Sequence, residues 1–458
     1  MVASFVSGRL YQPLVDKIKR APFSDRLAEA ERNLALDRGA LIALQREKLR
    51  AIVAYAKDAC PYYARTLARV DVTRLDRDAL LDVPMIGKPE VFASHGDMRG
   101  SRPRGRVFSG TTSGSTGIAM RFWQDSEHQA WVEASQWRGR RWWGLERGDL
   151  QLVLWSRPAD NTRWSSAKAW AKYRLRNCIQ VDTFQDFDEA SVRGLARVLA
   201  RRSPPLVYGY GSSIGRLAEA LDALGIRLSG CQRPKMIEYT ADHLYPRECE
   251  IAQRVFGIPI ATAYGASECG GVAQQCRHGK LHLSVDQAVY EVVRADGSRA
   301  EEGEVGEIVL TTLNNFAMPL IRYKVGDLGT WSNEQCDCGS SLPVMTLQVG
   351  KSVDLVNTSF RSGVSAHVLD YINLFLMREG VRGIKQFYVE QQKLDEFELR
   401  IVRDEVFEPR SVAVFVAKMK EYFGEGIVVK TSFVDRIPLE STGKRRYFKR
   451  TFTADRAG

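Results

Sequence analysis

The sequence predicts an α/β protein of more than one domain. The chain has 458 residues, of which 44% are hydrophobic, which is more than one compact core usually holds. Short apolar strands alternate with amphipathic helices between residues 206 and 265, as in layered α/β folds. Short strands without helices follow between residues 280 and 349. We therefore expect a large α/β domain with a β-rich subdomain, followed by a small C-terminal α/β domain.

The first 90 residues predict a helical layer of the large domain. From Asp25 to Ala59, apolar side chains recur at helical spacing among alternating charges, without an internal proline. The helical pattern ends at Cys60-Pro61, and a further turn is indicated by Val83-Pro84-Met85-Ile86-Gly87-Lys88.

The stretch from Ser109 to Gly117 contains only glycine, serine and threonine. Glycine lets the backbone approach a ligand closely, and hydroxyl groups donate hydrogen bonds to anionic oxygens. The composition is typical of a phosphate-binding loop and also of a solvated linker. From composition alone, both interpretations stay open.

Eight of the nine tryptophans lie between Trp123 and Trp170, interleaved with arginine and lysine. This pattern is typical of helices with buried tryptophans and a solvated basic face. It is also typical of a surface that binds nucleic acid or a membrane interface. We favour the helical interpretation, because amphipathic helices routinely have this composition.

Two strands in the middle of the chain end in turns that suit ligand binding. Leu206 to Gly211 reads as a strand that leads into the helix Ser213 to Leu224. Ile258 to Gly265 reads as a strand after the helix Arg247 to Phe256. The second strand ends in Tyr264-Gly265-Ala266-Ser267-Glu268, at the position where α/β proteins usually bind ligands.

The chain after Gly350 predicts a small independent α/β unit. Its pattern contains two helices and three strands, and a boundary is indicated near residue 350. The predicted helices are Ala366 to Met377 and Arg410 to Tyr422, and the predicted strands are Gln386 to Gln391, Glu396 to Val402 and Ile427 to Phe433.

The eight cysteines are scattered along a chain of intracellular character, so we expect reduced thiols rather than disulfides. Cys276, His282, Cys336 and Cys338 could form a tetrahedral structural zinc site, in which the Cys-x-Cys-Gly turn acts as a knuckle. His278 is an alternative nitrogen ligand. The alternative to a metal is four unrelated reduced side chains in the β-rich subdomain.

The net charge of +11 favours anionic partners, which include nucleotides, coenzyme A, acidic lipid headgroups and nucleic acid. No apolar run approaches the ~18 residues of a membrane span, and residues 1–20 lack a secretory signal. We expect a cytoplasmic protein. Peripheral membrane contact and a homodimer stay open.

Four stretches, in this order and spacing, resemble the adenylate-forming superfamily of acyl-CoA synthetases, luciferases and nonribosomal adenylation domains. They are the loop Ser109 to Gly117, the turn Tyr264 to Glu268, the segment Ile321 to Gly329 and the C-terminal turn Pro438 to Arg446. The resemblance covers about residues 50 to 450. It implies an N-terminal adenylate-forming domain over residues 1–350, in which residues 280–349 form the β-rich subdomain.

Within the superfamily, the chain is most similar to the phenylacetate-CoA ligase and CapK-like branch. This similarity rests on Pro61-Tyr62-Tyr63, on the turn from Val83 to Lys88, on Gly209-Tyr210-Gly211-Ser212-Ser213 and on the segment from Asn314 to Tyr323. It implies activation of a carboxylic acid by ATP to an acyl-adenylate, release of pyrophosphate, and acyl transfer to coenzyme A. Transfer to a carrier protein or to an amine on a sugar is the alternative.

The resemblance implies a role for each matching residue. Tyr264 would stack on adenine within the turn that includes Gly265 and Ala266, and Asp327 would bind the ribose hydroxyls, with Lys351 near the same ribose. The β- and γ-phosphates of ATP would be held by Thr112, Ser113, Gly114, Ser115, Thr116 and Gly117.

The implied catalytic residues are Ser267, Glu268 and Lys444. Ser267 would contact the α-phosphate, Glu268 would hold Mg²⁺, and Lys444 would bridge the substrate carboxylate and the α-phosphate. A cation is needed there because attack of a carboxylate on ATP brings two anions together. Residues 351–354 would form a hinge, and residues 355–458 would form a mobile C-terminal lid domain that carries Lys444.

Three positions depart from the family pattern. Met120 stands where many relatives have a lysine, Lys351 replaces an arginine, and Asp242 replaces a glutamate. The first half-reaction is therefore better supported than the second. The acid pocket would lie between Tyr208 to Ser213, Glu238 to Asp242 and Ala261 to Ala266, which favours an aromatic or medium-length acid.

Overall fold

The computed structural model describes most of the chain. The exceptions are residues 1, 77, 113–119, 156–166, 182–186, 229–234, 243, 245, 352–354, 362–363, 367, 370–371, 373–375, 377–380, 382, 439–446 and 453–458. In the part that it describes, no helix combines the length and the apolar character needed to cross a membrane.

The helices of the described residues are α1 (Val2–Phe5), α2 (Gln12–Lys19), α3 (Phe23–Asn33), α4 (Arg38–Ala59), α5 (Pro61–Thr66), α6 (Lys88–Ala93), α7 (Ser126–Trp142), α8 (Ala167–Leu175), α9 (Glu189–Arg202), α10 (Gly211–Ala223), α11 (Pro246–Phe256) and α12 (Pro409–Phe423). A π-helical segment, Val6–Tyr11, joins α1 to α2, and 3-10 turns span Val72–Arg74 and Ala79–Asp82.

The strands are β1 (Val107–Thr111), β2 (Arg121–Asp125), β3 (Gln151–Leu154), β4 (Cys178–Val181), β5 (Leu206–Tyr210), β6 (Met236–Thr240), β7 (Ile260–Ala266), β8 (Gly270–Gln275), β9 (Leu281–Leu283), β10 (Ala288–Val293), β11 (Gly306–Thr312), β12 (Tyr323–Ser332), β13 (Val344–Lys351), β14 (Leu355–Val356), β15 (Val364–Ser365), β16 (Ile384–Lys393), β17 (Glu396–Arg403), β18 (Val428–Phe433) and β19 (Phe448–Arg450).

The main sheet has two halves of different connectivity. Its strand order is β10-β11-β12-β13-β9-β8-β7-β6-β5-β3-β4. Strands β3 to β7 pair in parallel, whereas β7 to β13 pair antiparallel. The strands predicted between residues 280 and 349 therefore continue the parallel sheet rather than forming a separate one.

Both faces of the parallel half are covered by helices. Alternate residues point to opposite faces of a strand. Val207 and Ile237 accordingly pack into the core under α9, α10 and α11, whereas Leu206 and Met236 pack against α3 and α7. The tryptophans of α7, Trp131 and Trp137, are buried, as the helical interpretation of this segment predicts. The predicted solvated basic face is wrong for Arg138 and Arg140, which are buried because each pairs with a buried carboxylate, Asp286 and Glu238.

The predicted N-terminal helical pattern from Asp25 to Ala59 is interrupted. Helix α3 ends at Asn33, and α4 begins at Arg38 after Asp37, whose Oδ1 accepts a hydrogen bond from the Ala40 amide at 2.8 Å. Such an N-cap starts a new helix, because it satisfies an amide that has no partner within the helix. Apolar side chains keep their helical spacing across this break, so the sequence pattern gave no sign that one helix ends and another begins.

The C-terminal residues have a core of their own. Strands β18-β17-β16-β19 form a four-stranded sheet, and α12 packs Phe415, Met419 and Phe423 against Phe397 and Leu399. The three predicted strands and the helix from Arg410 to Tyr422 correspond to β16, β17, β18 and α12. The boundary and the hinge stay predictions, because residues 352–354 lie outside the described part of the chain.

Candidate active site

The predicted nucleotide-binding turn lies at the edge where the parallel strands end. Tyr264, Gly265 and Ala266 are the last residues of β7, and Ser267 and Glu268 follow directly. Because β5, β6 and β7 are parallel, their carboxyl ends share this edge. A Cβ atom on Gly265 would lie 2.4 Å from the carbonyl oxygen of Gly270, so the close return of the chain into β8 requires glycine.

Two tyrosine hydroxyls hold the two carboxylates of this site. Tyr264 donates a hydrogen bond to Asp327 Oδ2 at 3.0 Å, and Tyr323 donates one to Glu268 Oε1 at 2.8 Å. Burial, and then the neighbouring carboxylate, raises the pKa of both tyrosines, so both remain protonated donors. Glu268 is only 4% exposed, and its Oε2 accepts no hydrogen bond from the described residues.

A two-stranded hairpin carries the loop of glycines and hydroxyls. Strands β1 and β2 pair antiparallel up to Thr111 and Arg121. Beyond them, the Thr112 amide donates to the Met120 carbonyl at 2.9 Å, and the Met120 amide donates to Thr112 Oγ1 at 3.0 Å. We call this pair the loop neck. The predicted phosphate-binding residues Ser113, Gly114, Ser115, Thr116 and Gly117 lie outside the described residues.

The hairpin is attached to the end of β7. Gln124 Nε2 donates to the carbonyl oxygen of Ser267 at 2.9 Å. Met120 is fully buried, and its sulfur lies 3.9 Å from the Tyr323 hydroxyl. This burial suits an apolar side chain, because an unpaired lysine ammonium would be costly at this position.

The remaining predicted residues are only partly described. The backbone of Lys351 in β13 is opposite Asp327 in β12, so these two residues are neighbours in the sheet. Lys444 lies outside the described residues. Asp242 accepts hydrogen bonds from the Ser212 amide at 3.2 Å and from the Ser212 hydroxyl at 2.5 Å, which links the ends of β5 and β6.

The sequence did not predict a role for Tyr323. The backbone beside it is held in place through the preceding residue, Arg322. Arg322 has a φ of 49°, and its buried Nη1 donates to the carbonyls of Leu81 at 2.8 Å and Val83 at 2.7 Å. The amide of Ile86 donates to the Arg322 carbonyl at 3.0 Å. The turn from Val83 to Lys88 therefore holds a strained residue beside the tyrosine that contacts Glu268.

The candidate zinc ligands come together from three segments. Cys276 follows β8, His282 lies in β9, and Cys336 and Cys338 precede β13; their ligand atoms all lie within 4.8 Å of one another. The sulfurs of Cys276 and Cys336 are 3.7 Å apart, and the Cys338 sulfur is 3.3 Å from His282 Nε2. We call these four residues the Cys/His cluster.

The orientation of His282 suits metal binding. Its Nδ1 lies 3.1 Å from the carbonyl oxygen of Leu342, which can only accept, so Nδ1 carries the proton and Nε2 presents a lone pair to the cluster. His278, the alternative ligand, is exposed and does not belong to the cluster.

A cavity of about 530 Å³ lies between α7 and strands β3, β4 and β5 of the same sheet. Trp155, directly after β3, stacks on Tyr210 with ring centroids 4.1 Å apart and forms part of the cavity wall. Arg140 lines it too, with Nε 2.6 Å from Glu238 Oε2. The lining comprises Gln12, Glu133, Gln136, Trp137, Arg140, Gln151, Val153, Trp155, Tyr173, Arg176, Cys178, Gln180 and Tyr208.

Of the residues predicted to form the acid pocket, Tyr208 lines this cavity. Burial, and then the Glu238 carboxylate, raises the pKa of Tyr208 to about 12. Trp155 was missed from the sequence. Its position directly after a short apolar strand could have identified it, because the residues that follow parallel strands lie at one edge of the sheet.

Comparisons with known proteins agree with this arrangement. Residues 366–451 match the family model described as CapK C-terminal domain. The chain is 27% identical over 428 residues to phenylacetate-coenzyme A ligase of Thermus thermophilus, a match that covers 82% of this chain and 83% of the relative. It is 19% identical over 417 residues to protein CapK of Staphylococcus aureus, with 89% and 88% covered.

A solved structure has the same fold. The crystal structure of 2-hydroxyisobutyryl-CoA ligase in the postadenylation state aligns with a TM-score of 0.69 at 17% identity and covers 89% of each chain. This likeness confirms the predicted α/β fold class. In sequence the chain is therefore similar to phenylacetate-CoA ligase and to CapK, and it shares the fold of a CoA ligase of known structure.

Proposed function

We propose that this protein is an AMP-forming ligase, which activates a carboxylic acid with ATP and transfers the acyl group to coenzyme A. The observation that carries the proposal is the pair of tyrosine-held carboxylates, Glu268 and Asp327, at the edge of the parallel strands beside the loop neck. The curated relative with 27% identity is a ligase that forms a coenzyme A thioester.

In the first half-reaction, a substrate carboxylate oxygen attacks the α-phosphorus of ATP, and the bond to pyrophosphate breaks. Attack brings negative charges together, so the site must supply compensating positive charge. The loop from Thr112 to Gly117 would hold the departing phosphates through amides and hydroxyls. Lys444 would supply a fixed cation between the two reacting groups.

Glu268 suits a Mg²⁺ ion because carboxylate oxygens are the ligands that this cation prefers. Its Oε1 is oriented by the Tyr323 hydroxyl, while Oε2 is left without a described partner. Mg²⁺ would neutralise charge on the phosphates. Asp327, oriented by Tyr264, would accept hydrogen bonds from the ribose hydroxyls.

The cavity beside Trp155 and Tyr208 is the proposed acid pocket. Aromatic side chains in its wall suit an aromatic acyl group, one of the two classes, aromatic and medium-length, that the sequence favoured. The positive charge of Arg140 is matched by Glu238, so this arginine is not free to bind the substrate carboxylate. The carboxylate would instead be directed to the strand edge, toward the nucleotide.

The Cys/His cluster would bind a structural zinc ion. Three sulfurs and one imidazole nitrogen would supply all four ligands that a structural zinc ion takes, which would leave no position for a catalytic water. The ion would crosslink the β8–β9 turn to the loop before β13. It would stabilise the fold and would take no part in acyl transfer.

In the second half-reaction, a thiolate attacks the acyl carbon and AMP leaves. A hinge at residues 351–354 would rotate the lid domain, residues 355–458, between the two half-reactions. A second candidate acceptor, a carrier-protein thiol or a sugar amine, is favoured by the match of residues 366–451 to the CapK C-terminal domain. This match covers the lid, the part that would face the acceptor.

A pyrophosphate-release screen over carboxylic acids, with ATP and Mg²⁺, tests the proposal. Each acid that releases pyrophosphate is tested again with coenzyme A, with carrier protein and with amino sugars, and the products are identified by mass spectrometry. We expect an acyl-CoA thioester. Pyrophosphate release that yields an amide or a carrier-bound acyl group, without any coenzyme A thioester, would support the second candidate instead.

A further inference from the structure

The N-terminal helix of this chain exposes a row of apolar side chains, while Ser7 and Gln12 are buried against the body of the protein. Phe5, Leu10, Leu14 and Ile18 are 60%, 57%, 56% and 61% exposed. Residues four apart share a face of an α-helix, and a π-helical turn brings residues five apart into line, as Phe5 and Leu10 are across Val6–Tyr11. The four side chains therefore form one continuous row, which we call the outer stripe.

The opposite face of this helix is fixed to the body of the protein by small and polar groups. Ser7 is 1% exposed, and a Cβ atom on Gly8 would lie 2.2 Å from the Arg147 carbonyl oxygen. Asp16 accepts hydrogen bonds from Arg147 Nη1 at 2.5 Å and from Nη2 at 2.9 Å, and both side chains are largely buried. These contacts hold the helix so that the outer stripe faces away from the body of the protein.

The apolar face of this helix therefore has the opposite orientation to the one that folding favours. A surface helix normally turns its apolar side chains to the core, and contiguous exposed apolar rows mark interaction sites. The outer stripe is flanked by the exposed cations Arg9, Lys17 and Arg20, whereas the acidic Asp16 is directed inward to Arg147. The exposed face is therefore apolar and basic.

We propose that the outer stripe docks the protein on an anionic lipid surface, with the helix lying in the plane of the interface. Helices of this kind insert apolar side chains between the headgroups, while flanking cations pair with anionic lipids. A second copy of the chain fits less well, because a two-fold contact would bring the cations of both stripes together. The net charge of +11 also favours an anionic surface.

Cosedimentation with vesicles of phosphatidylcholine, with and without phosphatidylserine, tests this proposal. We expect binding to the phosphatidylserine vesicles to be about a hundredfold tighter, since each of three cations contributes about fivefold near the surface. Raising the salt concentration should weaken the binding.

Two double variants separate the apolar and the electrostatic contributions to vesicle binding. Leu10→Glu/Leu14→Glu should reduce vesicle binding at least tenfold, and Lys17→Glu/Arg20→Glu should remove the preference for phosphatidylserine. The matched control is Ile42→Glu/Phe92→Glu, which places two glutamates at exposed apolar positions on other helices, 53% and 64% exposed. All six sites are solvent-exposed, so circular dichroism should show intact folding, and pyrophosphate release without vesicles should be unchanged.

Three results would overturn the proposal. The first is failure of the unchanged protein to pellet with phosphatidylserine vesicles. The second is equal loss of binding in the control variant. The third is a dimer in light scattering that Leu10→Glu/Leu14→Glu dissociates, without any vesicle binding, because the stripe would then contact a second copy.

Discussion

The strand edge and the Cys/His cluster lie on the same sheet but are built differently. At the edge, Glu268 and Asp327 are each oriented by one tyrosine, and two further predicted parts, the loop and Lys444, come from distant segments. In the cluster, four side chains from neighbouring turns already converge within 4.8 Å. The four side chains of the cluster are therefore already close enough to share one ion, whereas the proposed active site would also draw on residues far apart in the chain.

The comparison implies that changes at the edge reduce catalysis without unfolding the protein, and that changes at the cluster do the reverse. The largest expected effect is that of Lys444→Ala. Loss of the fixed cation should lower the rate of pyrophosphate release at least about a thousandfold, while the melting temperature stays within about 1 °C. Lys449→Ala, which removes an exposed lysine nearby, is the control. Activity that survives in Lys444→Ala would refute the role assigned to this lysine.

Removal of zinc should have the second largest effect, on stability. A ligand that binds only the folded state stabilises it by about 4 kcal/mol when its concentration is a thousand times Kd. Treatment with a chelator should therefore lower the melting temperature. Cys336→Ser should already melt at the lower temperature without a chelator, and the chelator should not lower it further. Cys178→Ser, the control outside the cluster, should respond to the chelator as the unchanged protein does. A purified protein without bound zinc would contradict the prediction.

Glu268→Gln should reduce pyrophosphate release about a hundredfold, equivalent to about 2.7 kcal/mol of transition-state stabilisation. The amide keeps the size of the side chain but lacks the charge that Mg²⁺ requires. Raising the Mg²⁺ concentration should restore part of the rate, and titration of Mg²⁺ against the rate measures this. If the Mg²⁺ dependence of the variant equals that of the unchanged protein, Glu268 does not hold the ion.

Acid should destabilise both regions together, because α7 connects them. The helix begins after β2, and its Trp142 ring packs edge-on against His282, 5.6 Å away. Burial lowers the pKa of His128 on α7 to about 4 from 6.5, and neither ring nitrogen has a hydrogen-bond partner among the described residues.

The unfolded state therefore binds a proton that the folded state does not, and stability falls as the pH drops below about 6.5. Between pH 7 and pH 5 we expect His128 to contribute a loss of about 2 kcal/mol. Urea unfolding at both pH values measures it, and His128→Leu should reduce the difference by that amount. An equal difference in the variant would show that other groups cause the acid sensitivity.

The smallest effect is expected for Tyr323→Phe. Removal of one hydroxyl frees Glu268 Oε1 and should lower pyrophosphate release about tenfold, the lower end of the cost of one hydrogen bond to a charged group. Tyr290→Phe is the matched control, because its hydroxyl donates within the same sheet to the Thr330 carbonyl, whereas Glu268 Oε1 accepts from Tyr323. Equal activity of the two variants would mean that the orientation of Glu268 does not depend on Tyr323.

The fold class could be predicted from the sequence because each helix and strand is indicated by residues within that element. Apolar period, turn residues and ordered motifs identify strands and helices one at a time, and most predicted strands begin and end within a few residues of the observed ones. The break between α3 and α4 was missed, since one capping aspartate, Asp37, outweighs a continuous apolar period.

The candidate site was less predictable, because it depends on contacts between distant residues. The hydrogen bond from Tyr323 to Glu268 joins residues 55 positions apart, and Trp155 reaches the cavity only through the strand order β5-β3-β4. Neither contact has a local signature. The cysteines and His282 were identified because their residue types alone limit what they can do.

The loop neck has a consequence for protein engineering. Reciprocal hydrogen bonds between Thr112 and Met120 close the hairpin before the loop begins, so the two ends of the loop meet at one fixed point of the fold. Changes of length or sequence between these two residues need not alter the register of β1 and β2. The segment can therefore be exchanged between relatives as a cassette, with the rest of the enzyme left as it is.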